Sequence, residues 1–226
     1  VTYQFEFGDI WPYRDVLLQG AWLTLELTAL STLIGVSLGT LLAVARARGG
    51  APLRMLVGLY VELIRNTPFL VQLFFVFFGL PSVGIKLSAN QAAVLAMIVN
   101  LSAYSVEIIR AGVEAVPKGQ SNAARSLGLS ERQIMQSIVL PQAFVVIYPA
   151  LASQIVIVML GSSVVSQISA EELTFAANFI QSRNFRAFEV YAVVTLLYLA
   201  LAIAVRLAFR LAGEWCLPKR PVPGSA

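Results

Sequence analysis

The strongest constraint on this chain is a set of apolar runs longer than a soluble core requires. Several exceed the roughly 20 apolar residues that carry an α-helix across a bilayer. Mean hydropathy is +0.78, and only 12% of the residues are charged. The runs therefore predict an all-α integral membrane protein, a single domain over residues 1–226, with about five spans. We place these at about 20–45, 53–80, 91–113, 138–160 and 190–211, with Arg65-Asn66-Thr67-Pro68 interrupting the second. In the first span Ser31, Gly35, Gly39 and Ala43 recur every four residues. They share one helix face, and small residues there let a neighbouring helix approach closely.

Composition removes several chemistries. The absence of histidine excludes His-metal sites and the usual general base, and the single Cys216 allows neither an intrachain disulfide nor a Cys cluster. H-E-x-x-H does not occur. The first residues, VTYQFEFGDIWPYRD, lack the pattern of a cleavable signal peptide. Net charge is +4, but its distribution follows the loops and predicts no nucleic-acid partner. Arg46, Arg48 and Arg54, then Lys118, Arg125 and Arg132, then Arg206, Arg210, Lys219 and Arg220 fall on one side, ten cations in all. Arg14, Lys86, Arg183 and Arg186 fall on the other. Cytoplasmic loops carry the Lys/Arg excess, so the N-terminus is expected outside and the C-terminus in the cytoplasm.

One polar segment stands apart. AVPKGQSNAARSLGLSERQ, residues 115–133, faces the cytoplasm under that topology. Pro117 suits a first helical turn, Gly128 suits a left-handed helix end, and Ser130 with Gln133 fits a capping box. Leu129 and Ile134 have hydrophobic-staple spacing. The expected order is a short helix to Leu127, a Gly turn, a second helix, then Leu140-Pro141 and the fourth span. Composition alone leaves two readings open: a helix seated in a groove of another protein, or one resting on membrane lipid headgroups.

Polar groups inside the spans are the other candidates. Glu62–Arg65, Glu107–Arg110 and Arg110–Glu114 have helical pairing distances. Pro68 removes a donor and discourages helix at Thr67, which exposes backbone at membrane depth. Irregular backbone is tolerated there when it lines a cavity or is buried in protein. Asn100 and Tyr104 in the third span, Gln154 in the fourth, and Gly161, Ser162 and Ser163 beyond it complete a candidate substrate pathway with Glu62 and Arg65.

The segment resembles the signature of permease subunits of ATP-binding-cassette (ABC) importers. Asn122-Ala123-Ala124, then Gly128, then Ile138-Val139-Leu140-Pro141 match both spacings of that signature. VELIRNTPFLVQLFFVFFGLP at 61–81, AVPKGQ at 115–120 and FEVY at 188–191 resemble the polar amino acid branch (histidine, glutamate, glutamine, arginine and opine carriers). The resemblance implies a coupling segment at 117–136 that docks onto a cytoplasmic ATP-binding subunit dimer. Asn122, Ala123, Ala124, Arg125 and Gly128 would form that contact. It also implies a second permease subunit, an extracytoplasmic substrate-binding protein and the bacterial inner membrane. No G-x-x-x-x-G-K-[ST] loop occurs, so ATP and Mg are expected on the partner and this chain has no cofactor or catalytic residues of its own.

Two departures from the family stand out. Its signature Glu is Asn122 here, which removes a charge from the docking surface. Its Asn-Glu in the fourth span and its later Lys-Asp-Thr-Ser become Ser153-Gln154 and Leu160-Gly161-Ser162-Ser163. The family pocket carries over at Asn100, as an amide at Gln154, and not as a charge at Gly161. That loss favours a heterodimer with a different permease chain over a homodimer. The alternative function is an ion-gradient-driven secondary transporter. Such carriers often show matched broken helices in internal repeats, whereas this chain has one clear break.

Overall fold

The computed structural model describes residues 5–216, so Lys219 and Arg220 lie outside the described residues. The helices are α1 (Arg14–Arg48), α2 (Ala51–Arg65), α3 (Phe69–Phe74), α4 (Ala89–Glu114), α5 (Lys118–Ser126), α6 (Glu131–Ile134), α7 (Leu140–Gly161), α8 (Leu173–Asn184) and α9 (Ala187–Cys216). Four helical stretches are long and apolar enough to cross a membrane, and the bent pair α2 and α3 can supply a fifth.

The second span differs from a simple interrupted helix. The chain turns through 108° between Arg65 and Phe69. Thr67-Pro68 causes this: Pro68 has no N–H for the ladder and holds extended backbone at the N-cap of α3. α3 then runs through a π-turn, Phe75–Gly79, and a 3-10 turn, Leu80–Val83, to Gly84 at φ 88°.

α1 packs along α4 through the small-residue stripe, whose four members are all buried. A Cβ on Gly39 would lie 2.5 Å from Ser105 Cβ and 2.8 Å from the Ser102 carbonyl oxygen. One on Gly35 would sit 3.2 Å from Leu101 Cβ. The close approach expected from the four-residue spacing is thus made, and α4 is the neighbour. α4 itself starts at a capping box, with Ser88 Oγ accepting from Gln91 N and Gln91 Oε1 accepting from Ser88 N.

The fourth span was expected to begin near Ile138, after a separate short helix. Instead α6 flows into α7 through a π-turn, Met135–Val139. The buried stripe accounts for it: Ile134, Val139, Ala143 and Ile147 are spaced by five, four and four residues. The extra residue in the first interval is absorbed by the π-turn, which keeps one face inward. Pro141 and Pro149 sit within this helical run without ending it.

α8 lies between spans and is absent from the five predicted segments. At twelve residues it is too short to cross a bilayer. Its signal was local: Leu173, Ala176, Ala177 and Ile180 have helical spacing and are buried. Glu172 caps it, accepting from Thr174 N at 2.8 Å and Phe175 N at 3.0 Å, and Tyr198 Oη of α9 donates to the same buried carboxylate.

Gly39→Leu should force α1 off α4. Overpacking of this kind costs about 1–3 kcal/mol, read as a lowered unfolding midpoint of the purified chain in detergent. Gly119→Ala, where an added Cβ meets nothing within 4 Å, should leave that midpoint unchanged.

Candidate functional site

The sequence singled out two sites, and they sit in different parts of the fold. The first is built around the break between α2 and α3. At the end of α2 the carbonyls of Leu63 and Ile64 have lost their ordinary helical partners, while that of Glu62 keeps the Asn66 N–H at 3.1 Å. Side chains bind all three in turn. Asn66 Nδ2 donates to the Glu62 carbonyl at 2.9 Å and to Glu62 Oε2 at 2.9 Å. Thr67 Oγ1 donates to the Leu63 carbonyl at 2.8 Å. Gln72 Nε2 donates to the Ile64 carbonyl at 2.7 Å, and also reaches the Thr67 carbonyl at 3.0 Å and Thr67 Oγ1 at 2.9 Å.

α4 faces this break. Asn100 Nδ2 donates to Gln72 Oε1 at 3.0 Å. The Arg65 guanidinium carbon lies 5.3 Å from the centre of the Tyr104 ring, a cation–π contact. One turn before the break, the Tyr60 hydroxyl lies 2.6 Å from Ser102 Oγ and donates to the Val99 carbonyl at 2.7 Å. Arg65, Asn100 and Tyr104 are therefore brought together, with Glu62 beside them on Asn66. The pairing of Glu62 with Arg65 that their spacing allowed is not made among the described residues.

The remaining candidates sit apart. Ser162 is buried and donates to the Met159 carbonyl of its own helix at 2.6 Å. Gln154 and Ser163 are half-buried on α7 and the 3-10 turn that follows it, and Gly161 ends α7. No described hydrogen bond joins Gln154, Ser162 or Ser163 to Asn100 or Tyr104. Gln72 was not among the sequence candidates. Its signal was its position, as the one amide in the apolar run FLVQLFFVFF and four residues after a proline.

Nearer the predicted cytoplasmic end of α4, Glu107 accepts twice from Arg110 Nε at 3.1 Å. Arg110 also pairs with Glu114, and Arg46 of α1 lies 3.7 Å from Glu107. These are structural ties within and between helices, the role their spacing favours for Arg110 and Glu114.

The second site is the polar segment. α5 closes with two hydrogen bonds of the Schellman type: Leu129 N to the Ala124 carbonyl at 3.2 Å and Gly128 N to the Arg125 carbonyl at 3.0 Å. Gly128 has φ 82°, as its position required. Ser130 and Gln133 form the capping box of α6. Leu129 and Ile134 share a small core with Ala124, Val139 and Ala143, so the staple packs as its spacing predicted. Pro117 takes the N-cap of α5 and not its first helical position, a shift of one residue.

Arg125 bridges the turn. Its Nε donates to Glu131 Oε1 at 2.7 Å and its Nη1 to Asn122 Oδ1 at 3.0 Å. The Glu131 carboxylate raises Arg125 further above its ordinary guanidinium range, so the bridge keeps its positive partner at any working pH. Asn122 and Ala123 are exposed, whereas Ala124 is buried beneath them. The segment is a braced, outward-facing handle.

Comparison with known proteins gives consistent matches. A family model described as the binding-protein-dependent transport system inner membrane component matches residues 35–213. The probable glutamine ABC transporter permease protein GlnM of Bacillus subtilis is 36% identical over 197 residues, 87% of this chain and 89% of that protein. The L-cystine transport system permease protein TcyB of the same organism is 38% identical over 78% of this chain and 74% of its own length. The glutamine transport system permease protein GlnP of Escherichia coli is 32% identical over 92% of this chain and 95% of its own. The crystal structure of an amino acid ABC transporter with histidines matches with a TM-score of 0.88 and 35% identity, covering 94% of this chain and 100% of that one. The inward-facing MetNI methionine ABC transporter shares the fold, with a TM-score of 0.75 at 21% identity.

Gly128→Val should disturb the handle without touching the spans. A left-handed backbone costs a residue with a Cβ roughly 1–2 kcal/mol, and β-branching makes it worse. In the assembled complex, substrate-stimulated ATP hydrolysis is expected to fall towards the basal rate. Full stimulation in a correctly assembled variant would remove the turn from the coupling role.

Proposed function

The chain belongs to the binding-protein-dependent transport system inner membrane components, and from that premise we propose that it is the permease subunit of an ABC importer for a polar amino acid. It is a multi-pass inner-membrane protein of an ABC transporter complex that includes ATPase subunits. The observation that carries the reading is the braced α5–turn–α6 handle on the signature positions Asn122, Ala123, Ala124 and Gly128. A permease with no phosphate loop needs such a rigid contact to receive work from an ATPase. Relatives named for glutamine and cystine support the substrate class. Nothing in the comparisons favours the ion-gradient alternative.

In this reading α5 and the Gly128 turn seat on a dimer of cytoplasmic ATPases, which bind ATP and Mg. Substrate arrives from an extracytoplasmic binding protein and crosses by alternating access between two permease subunits. Arg65, with Tyr104 and Glu62 beside it, offers a cation for the substrate carboxylate at the break of the second span. Gln154, Gly161 and Ser163 line the continuation of the path, and buried Ser162 braces it through its bond to the Met159 carbonyl. An ammonium in a low-dielectric site needs a counter-charge, and an amide at Gln154 cannot neutralise it. We therefore assign the second permease to a different chain that supplies acidic groups. The rival is a homodimer that carries an acidic or neutral substrate.

Purification of the complex in gentle detergent, followed by reconstitution, tests the whole reading. ATP-dependent amino acid uptake into vesicles is expected, and uptake driven by an ion gradient without ATP would overturn it. The intact mass decides the composition: two copies of this chain with no second permease would rule out the heterodimer.

The proposed topology has the N-terminus outside and α5 in the cytoplasm. A cysteine placed at exposed Gly119, with Cys216 replaced, should resist an impermeant thiol reagent added to intact cells. Labelling from outside would invert the topology.

A further inference from the structure

We propose that Gln72 is a positioning residue that latches the broken second span into its bend and fastens it to α4. Its amide replaces the hydrogen bond that Pro68 deletes. In an uninterrupted helix the N–H of residue 68 would donate to the carbonyl of residue 64. Pro68 has no N–H. Gln72 Nε2 stands 2.7 Å from that same Ile64 carbonyl, arriving from the next helix. It also reaches the Thr67 carbonyl and hydroxyl, so one side chain ties both sides of the break.

The other end of the amide is equally committed. Gln72 Oε1 accepts from Asn100 Nδ2 of α4 at 3.0 Å. Gln72 is buried, and within the membrane no water competes for these partners. An amide is the group that fits: it donates twice to carbonyls and accepts once from Asn100. A carboxylate cannot donate, and an apolar side chain would leave the Ile64 carbonyl and the Asn100 amide unpaired. Because Arg65 lies on the last turn of α2 and faces Tyr104 of α4, the latch also sets where that guanidinium stands. Asn100 then serves the pathway through Gln72, as an anchor for the bend.

The proposal rests on the transport reading for its consequence but not for its geometry, so the test has two arms. Nitroxides at Met55 on α2 and Phe78 beyond α3, both exposed in this chain, report the angle across the break by pulsed dipolar spectroscopy of the complex in nanodiscs. The parent is expected to give one narrow distance. Gln72→Leu should broaden or shift it and lower ATP-dependent uptake about tenfold or more, the scale of one or two buried groups left unpaired. Asn100→Leu, which removes only the tie to α4, should keep the narrow distance while uptake still falls. Gln72→Met keeps the length of the side chain and loses its donors. It should broaden the distance as Gln72→Leu does, and it takes that variant's place if the leucine chain fails to assemble. A parental distance in both Gln72 variants would overturn the latch. The distance arm judges the latch alone, and uptake by the parent complex judges the importer reading.

Discussion

Hydrocarbon offers a polypeptide no hydrogen bonds, so every place where a membrane helix breaks has to be repaired by the protein itself. Much of this structure follows from that rule at Thr67-Pro68. The bend frees the carbonyls of Leu63 and Ile64, and Thr67 and Gln72 take one each. The repair brings polar side chains to membrane depth. Once there, they bring Arg65, Asn100 and Tyr104 into one neighbourhood. A site for a polar substrate and the mending of a broken helix are thus made from one set of groups.

The rest of the core is apolar and close-fitting. Between helices in lipid, contact and not water exclusion provides the attraction, so the distance of approach matters most. Gly35 and Gly39 bring α1 onto the backbone of α4, and Gly20 lets it meet the start of α8. α4 consequently touches α1, α2, α3 and α7. It carries Asn100 and Tyr104 as the most enclosed of the four long spans among the described residues, with over half of its apolar stretch buried, and α9 is the least enclosed of them. A pathway residue on α4 is held from several sides.

Much of this was legible in the residues. Long apolar runs gave the spans, and the Ser31–Ala43 stripe gave a packing face. The chemistry of Gly128, Ser130 and Gln133 gave the handle almost bond for bond. What escaped notice had a common cause: side chains acting on backbone across a gap in sequence. Gln72 reads as a stray amide until Pro68 is seen to leave the Ile64 carbonyl bare. Glu172 reads as one of two glutamates until it is found capping α8 and meeting Tyr198. The split of the pathway candidates was also invisible, because Ser162 and Asn100 are equally polar on paper. Only packing shows that the Ser162 hydroxyl turns back onto its own helix while Asn100 reaches across to another.

The π-turn at Met135–Val139 joins the handle to the fourth span as one continuous rod. Successive residues of an α-helix are offset by about 100°, so the one surplus residue in that turn sets the azimuth of the handle about the span axis. The face that α5 and α6 present is therefore indexed to α7 by a residue count as well as by packing. A chain one residue shorter there could keep every cap and contact of the handle and still present it to a partner about a quarter-turn out of register. In machinery where torque and tilt must pass from one subunit to the next, that single residue acts as the key that orients a shaft in its socket.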